Sequence, residues 1–197
     1  VIGDIDPGFV TRNLSAADAR SARAVALSSD QARVAFLNAY ASAKGAMIAT
    51  GSSVMNPFAG GGQNNLYRCF IDLSFRSIAP KGFAALIHQN GHLTDPKSGA
   101  FRREWYGRIT KYFHVRNEIK SKMFADIGNR VELSINVYRG KVDRTCFESM
   151  AHIFLPSQVD DAYRHDGVGP LPMMKNDVGN WEIRGHKDRI VLIDQDA

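Results

Sequence analysis

Apolar positions follow two different periods along this chain, and the change of period divides it. Residues 1–64 carry a helical rhythm: Val34, Leu37 and Ala41 fall on one side of a helix, with Phe36, Tyr40 and Ala43 beside them. Ser15-Ala-Ala-Asp18 reads as a variant of the capping box, and Ser29 or Asp30 is placed to cap the second helix. Gly45 and then Gly51-Ser52-Ser53 weaken that helix, and Asn56-Pro57-Phe58-Ala59-Gly60-Gly61-Gly62 is loop by composition.

From Asn65 the rhythm changes. Leu66, Tyr67, Phe70, Ile71 and Ile78 recur at helical spacing until Pro80-Lys81-Gly82. Phe83 to Ile87 is a short unbroken apolar run, the pattern of a strand buried on both faces of a parallel sheet. Asn90-Gly91 and Asp95-Pro96 mark a loop. Phe101, Trp105 and Ile109 then step by four, predicting a helix with Arg102, Arg103 and Arg108 off its apolar side. Ile109–Val115 and Val131–Tyr138 read as strands, and Phe147–Leu155 as another. These elements predict an α/β fold, a sheet with helices on its faces, preceded by a helical segment. Past Leu155 the prolines and glycines (Pro156, Gly167, Gly169, Pro170, Pro172, Gly179) predict an irregular connection. It ends in two short strands or one hairpin across Trp181–Asp194. The expected segments are thus 1–64, 65–156 and 157–197.

At 197 residues the chain is long enough to bury a real core. It has no apolar run of about 18 residues, so no membrane span is expected. The first residues lack both the basic start and the apolar stretch of a signal peptide, and there is no initiating Met. Two cysteines without metal spacing suit a reducing cytoplasm. Charge is uneven: eleven Lys and Arg between Phe101 and Arg144 face five acidic residues, which concentrates the net charge of +5 there. Such a segment is either a surface for a polyanion or a solvated face.

Three strings carry a resemblance. They are Asn65-Leu66-Tyr67-Arg68-Cys69-Phe70 opening a helix, Ala79-Pro80-Lys81-Gly82 leading into the apolar strand, and Lys122-Met123-Phe124-Ala125-Asp126 ahead of the strand Glu132–Tyr138. Their order resembles the second half of the catalytic domain in adenine-specific DNA methyltransferases of bacterial restriction–modification systems. The resemblance spans about residues 65–150. It implies a partial Rossmann-like methyltransferase sheet, S-adenosylmethionine as cofactor and double-stranded DNA as partner. Phe70 matches the phenylalanine that walls the cofactor's adenine ring, and Phe124 the one that stacks on the everted target adenine. Each is otherwise a core residue. An everted base loses its stacking neighbours, and an aromatic face replaces them at about 1–3 kcal/mol per base. Arg102, Arg103, Lys111, Arg116, Lys120, Lys122 and Arg130 are the candidates for DNA phosphates, contacts that position a duplex without reading it.

One departure is Lys81, where the family's helix end has a second glycine. A larger one is the absence of an Asn/Asp-Pro-Pro-aromatic loop, whose polar groups accept the hydrogens of the adenine amine. Asn56-Pro57-Phe58 is a near-miss with one proline. The expectation is that the catalytic loop and cofactor turn belong to a missing N-terminal part ahead of Val1, leaving the fragment inactive alone. The alternatives are a non-catalytic DNA-binding or interaction module with the same fold, and an unrelated α/β domain with its aromatics in the core. His88, His92, His114, His152, His165 and His186 form no close-spaced ligand set, so no metal is expected. No Gly-x-Ser-x-Gly elbow is present.

Overall fold

Serines start the two long helices of the N-terminal region. Four helices lie there: α1 (Ile2–Ile5), α2 (Gly8–Thr11), α3 (Ala16–Ala26) and α4 (Asp30–Gly51). The Ser15 hydroxyl accepts the Asp18 N–H and the Ser29 hydroxyl accepts the Ala32 N–H, each at 3.2 Å. This satisfies donors that the first turn of a helix leaves open. Gly45 does not break α4, because the helix formers around it absorb a cost of about 1 kcal/mol. None of the four helices buries a residue. This computed structural model describes residues 1–59, 65–118 and 123–195. The chain divides into two compact units, Val1–Ser52 and Ser53–Ala197. Among the described residues, no helix is long and apolar enough to cross a membrane.

The second unit is α/β with one mixed sheet. In chain order it contains α5 (Leu66–Ser77), β1 (Phe83–Gln89), α6 (Gly91–Thr94), α7 (Gly99–Tyr106), β2 (Ile109–Val115), β3 (Leu133–Arg139), β4 (Cys146–Ile153), α8 (Ser157–Arg164) and β5 (Val191–Asp194). The strands lie in the order β1-β3-β2-β4-β5. β3 runs antiparallel to both β1 and β2, so those two are parallel to each other. The chain passes from one to the other through α6 and α7, the helical crossover that a parallel pair requires. β4 is parallel to β2, and β5 is antiparallel to β4.

One sheet face packs on α5 and α7. Ile71, Phe75, Phe101, Trp105, Ile109, Tyr138 and Phe147 form that core. The other face packs around α8 with Phe113, Met150, Ile153 and Ala162. The α5 helix turns Arg68, Ile71, Asp72 and Phe75 inward at steps of three and four. Its other side leaves Leu66, Phe70 and Leu73 in solvent.

Five expectations change. The apolar run at Phe83 forms a strand, but an edge strand, whose only partner among the described residues is β3. Phe83 is 69% and Ile87 55% exposed, so one face of that strand is uncovered. The expected loop after Asn90 winds into α6 and a 3-10 turn at Pro96–Ser98, which Asp95 caps through the Lys97 N–H at 2.9 Å. Ile109 opens β2, as its strand pattern predicts, and does not close α7, because Gly107 ends that helix first. Residues 157–197, expected to be an irregular extension, supply α8 and β5. A hairpin across Trp181–Asp194 does not form: β5 pairs with β4 and Trp181 bridges to Lys175. Finally, the compact units part at Ser52, ahead of the expected boundary after residue 64, because the Asn56–Ala59 loop is bonded to α5.

Candidate functional site

The carboxyl end of β1 is where the second unit opens. A concavity of about 540 Å³ is lined there by Asn65, Tyr67, Arg68, Gln89, Gly91, Asp95 and Lys97. A second, of about 400 Å³, shares Gln89 and Gly91 and adds Asn90, Thr94, Arg130, Val131 and Glu132. The first lies at the amino end of α5 and the second at the amino end of β3. At Gly91 a Cβ would lie 3.2 Å from the Tyr67 hydroxyl, a tight approach that the tyrosine would have to ease by a few tenths of an ångström. Arg68 is buried beneath the first concavity, with Nη1 3.4 Å from Asp95 Oδ2 and its guanidinium 5.0 Å from the Phe101 ring centre.

Behind the opening is a directed hydrogen-bond chain. His88 Nδ1 lies 2.9 Å from the Gln89 carbonyl, which can only accept, so Nδ1 carries the proton. His88 Nε2 therefore accepts from the Tyr138 hydroxyl at 2.7 Å, and Trp105 Nε1 donates to that hydroxyl at 3.2 Å. A second chain runs from the Asn136 amide to Ser134 Oγ at 2.7 Å, from Ser134 to Asn90 Oδ1 at 2.5 Å, and from the Asn90 amide to the Tyr112 hydroxyl at 3.0 Å. These buried groups rigidify the strand end that carries both concavities.

Burial lowers His88 to about 4. Burial, then the neighbouring His88 and Arg68 charges, lowers His92 to about 3. Both rings are neutral near pH 7, and neither is poised as a base. Burial raises the Tyr67 and Tyr138 phenols, and raises Tyr112 to about 12. The site therefore offers shape, amides and cations rather than proton transfer. Among the described residues, no three His, Cys, Asp or Glu side chains are grouped to hold a metal ion.

The loop after β2 carries Phe124. Asn117, buried, holds it from beneath: its Oδ1 accepts the Phe124 N–H at 3.1 Å, and its amide donates to the Phe124 and Ile127 carbonyls at 2.8 Å each. Phe124 itself is half-buried, and Ala125 and Asp126 are exposed. The same loop ends in Arg130–Glu132, the wall of the second concavity. Phe124 lines neither concavity directly.

Phe70 is 54% exposed on α5, away from the core. It lines a hollow of about 190 Å³ with Asn56, Leu66 and Leu73 among others. The structure thus brings Phe70 and Asn56 together. Phe58 turns elsewhere: its ring packs 6.3 Å from Phe75, under Arg108 at 5.1 Å. The Phe58 and Ala59 N–H groups donate to Asp72 Oδ2 at 2.6 and 2.9 Å. Asn56-Pro57-Phe58 is therefore pinned to the carboxyl half of α5, whereas the larger concavity opens at the amino end. As a candidate catalytic tripeptide it stands away from the two concavities at the end of β1, with Asn56 beside Phe70 in the smaller hollow. Residues 60–64 lie outside the described residues.

The cations divide. Arg102 donates to the His92 and Asp95 carbonyls at 3.1 and 2.6 Å, closing the end of α6. Lys111 pairs with Glu148 and lies 2.8 Å from the Tyr163 hydroxyl, joining β2 and β4 to α8. Arg116 pairs with Glu118 and Glu132. These three side chains are engaged with the protein. Arg103 and Arg130 are exposed and make no ion pair among the described residues. Lys120 and Lys122 lie outside the described residues. The sequence reading missed Gln89, Lys97 and Asn117; an amide ending a strand and a lone lysine after Asp-Pro carry no motif.

No protein family, curated protein or solved structure matches this chain to a significant degree.

Proposed function

We propose that this chain is part of a Rossmann-like DNA methyltransferase that moves a methyl group from S-adenosylmethionine to the exocyclic amine of adenine. On this reading the carboxyl end of β1 receives the everted base. What carries the reading is one arrangement. β1 and β2 are parallel and joined by a helical crossover, and the carboxyl end of β1 opens into two adjoining concavities, the second walled by Arg130–Glu132 at the end of the loop that holds Phe124. In open α/β sheets ligands bind outside the carboxyl ends of the strands. The uncovered face of β1, its edge, which has no strand partner among the described residues, and the exposed Leu66, Phe70 and Leu73 suit a sheet that continues into further chain.

S-adenosylmethionine would supply an electrophilic methyl on a sulfonium. The hollow beside Phe70, at about 190 Å³, is smaller than the roughly 300 Å³ of a complete small-molecule site. Phe70 then gives one apolar wall for an adenine ring, and the rest of the donor's site lies in a joined segment. So does the loop that activates the amine. This chain's own part is to stack, orient and hold. Phe124 offers its face to the extruded base, Asn117 fixes that loop, and Arg103 and Arg130 meet phosphates.

Duplex binding by this chain, followed by fluorescence anisotropy across a salt series, tests the reading. The affinity should fall steeply as salt rises, because phosphate contacts release counterions. Absence of any affinity at low salt would remove DNA as the partner.

A further inference from the structure

We propose that His114 and His152 form a two-imidazole site for a late divalent transition ion such as zinc, at the carboxyl ends of β2 and β4. The site needs neither DNA nor S-adenosylmethionine, so its test is separate from that of the methyl-transfer reading.

A bulge brings the two rings together. The pairing of β2 with β4 slips between Phe113↔Met150 and Val115↔Ile153, so two residues of β4 stand opposite one of β2. Phe113, Met150 and Ile153 all pack on the α8 side. His114, one step from Phe113, turns to the opposite face, and the bulge sends the residues between Met150 and Ile153 there too. His152 takes this position at a φ of 57°, an uncommon value for a residue with a side chain. Such outliers persist where the surroundings hold them, and they cluster at functional sites. Here Arg189 Nη2 donates to the His152 carbonyl at 3.4 Å. The two ring centres lie 5.7 Å apart. An ion about 2.0–2.1 Å from one nitrogen of each ring would hold the centres roughly 5–6 Å apart. The planes meet at 88°, and the soft terminal torsion of a histidine lets both nitrogens turn toward one point.

The other four histidines are spoken for. His88 donates through Nδ1 and accepts through Nε2, and His92 is fully buried. His165 Nδ1 accepts the Gly167 N–H at 2.9 Å and His186 Nδ1 the Asp188 N–H at 3.1 Å. Each of those neutral rings therefore carries its proton on Nε2 and has no lone pair left for an ion. His114 and His152 are half-buried and make no side-chain hydrogen bond among the described residues. Burial lowers His114 below the ordinary imidazole range, although the Glu132 carboxylate pulls the other way. Its ring is thus neutral near pH 7, as a metal ligand must be. Arg116, the cation that faces His114, is met by Glu118 and Glu132. Imidazole nitrogen suits zinc, copper and nickel, and two protein ligands leave the remaining positions to water.

The test titrates this chain with zinc chloride in a calorimeter, without DNA. One zinc per chain should bind with a Kd well below about 1 mM. Magnesium, which takes oxygen ligands, should not compete. His114→Ala and His152→Ala should each weaken zinc about tenfold or more, and His165→Ala should leave it unchanged. His152→Gly separates ligation from folding. Glycine takes a positive φ without strain, so this variant should melt at least as high as the parent while losing zinc. Zinc affinity that survives His114→Ala or His152→Gly would overturn the site. So would loss of binding in His165→Ala, or no binding tighter than about 1 mM. Each of those results would leave the DNA reading standing.

Discussion

The Tyr138 hydroxyl lies 2.7 Å from His88 Nε2 and serves as the junction between the aromatic core and the strand end that bears the site. It donates to His88 while accepting from Trp105, and both neighbours are buried or nearly so. Tyr138→Phe leaves two buried ring nitrogens without partners, each at about 1–3 kcal/mol. A urea midpoint shift corresponding to about 2 kcal/mol or more is expected. An unchanged midpoint would contradict the chain of bonds.

The imidazoles give a pH signature. In the unfolded chain they protonate near 6.5, whereas folded His88 does so at about 4 and His92 at about 3. Between those values the unfolded state binds more protons. Their contribution to stability is therefore complete above about 6.5 and is lost as pH falls toward 4 and 3. The ring-proton resonances of both histidines should stay flat from about pH 8 to 5. A midpoint near 6.5 for either would contradict their burial as neutral groups.

Asp72 ties the Asn56–Ala59 loop to α5. Its buried carboxylate accepts the Phe58 and Ala59 N–H groups and bonds Arg76 Nε at 2.8 Å. Arg76 is partly exposed, so the lost loop acceptors dominate the cost of removing the carboxylate. Asp72→Ala should destabilise by about 2–4 kcal/mol in denaturant titration. A change indistinguishable from zero would mean the loop is held by other contacts.

Gly185 packs against the α8 backbone. A Cβ there would lie 2.4 Å from the Ala162 nitrogen and 2.6 Å from the Gln158 carbonyl. Neither atom can swing aside, so Gly185→Ala should cost about 1–3 kcal/mol. A variant as stable as the parent would show that α8 is free to move away.

Element types were largely readable, and neighbours were not. The caps at Ser15 and Ser29, the α5 period and the apolar runs of β1, β2 and β4 are local signals that tertiary packing did not override. Phe83–Ile87 shows the limit. A continuous apolar run states that a strand is apolar on both sides, but not that a neighbour covers both. The α8 helix was hidden because Pro156 and the glycines beyond it suggested loop. What ends the sheet end is Gln158: its Oε1 accepts the Phe154 and Leu155 N–H groups at 2.6 and 3.1 Å, and its amide donates to Glu182 at 3.2 Å. Such long-range bonds have no sequence period. The same holds around the concavities, where the resemblance singled out Phe124, which lines neither of them, and Asn117 is found only through its bonds to the Phe124 loop.

The central claim is tested most directly by methyl transfer. The complete gene product would be incubated with unmethylated duplex DNA and S-adenosylmethionine labelled on its methyl group, and the nucleosides analysed by mass spectrometry. The account predicts label on the adenine exocyclic amine, reduced by Phe124→Ala about five- to a hundredfold with the thermal melt unchanged, since lost stacking of about 1–3 kcal/mol acts on the everted base. Label on cytosine alone, or none on DNA that the protein binds, would contradict it.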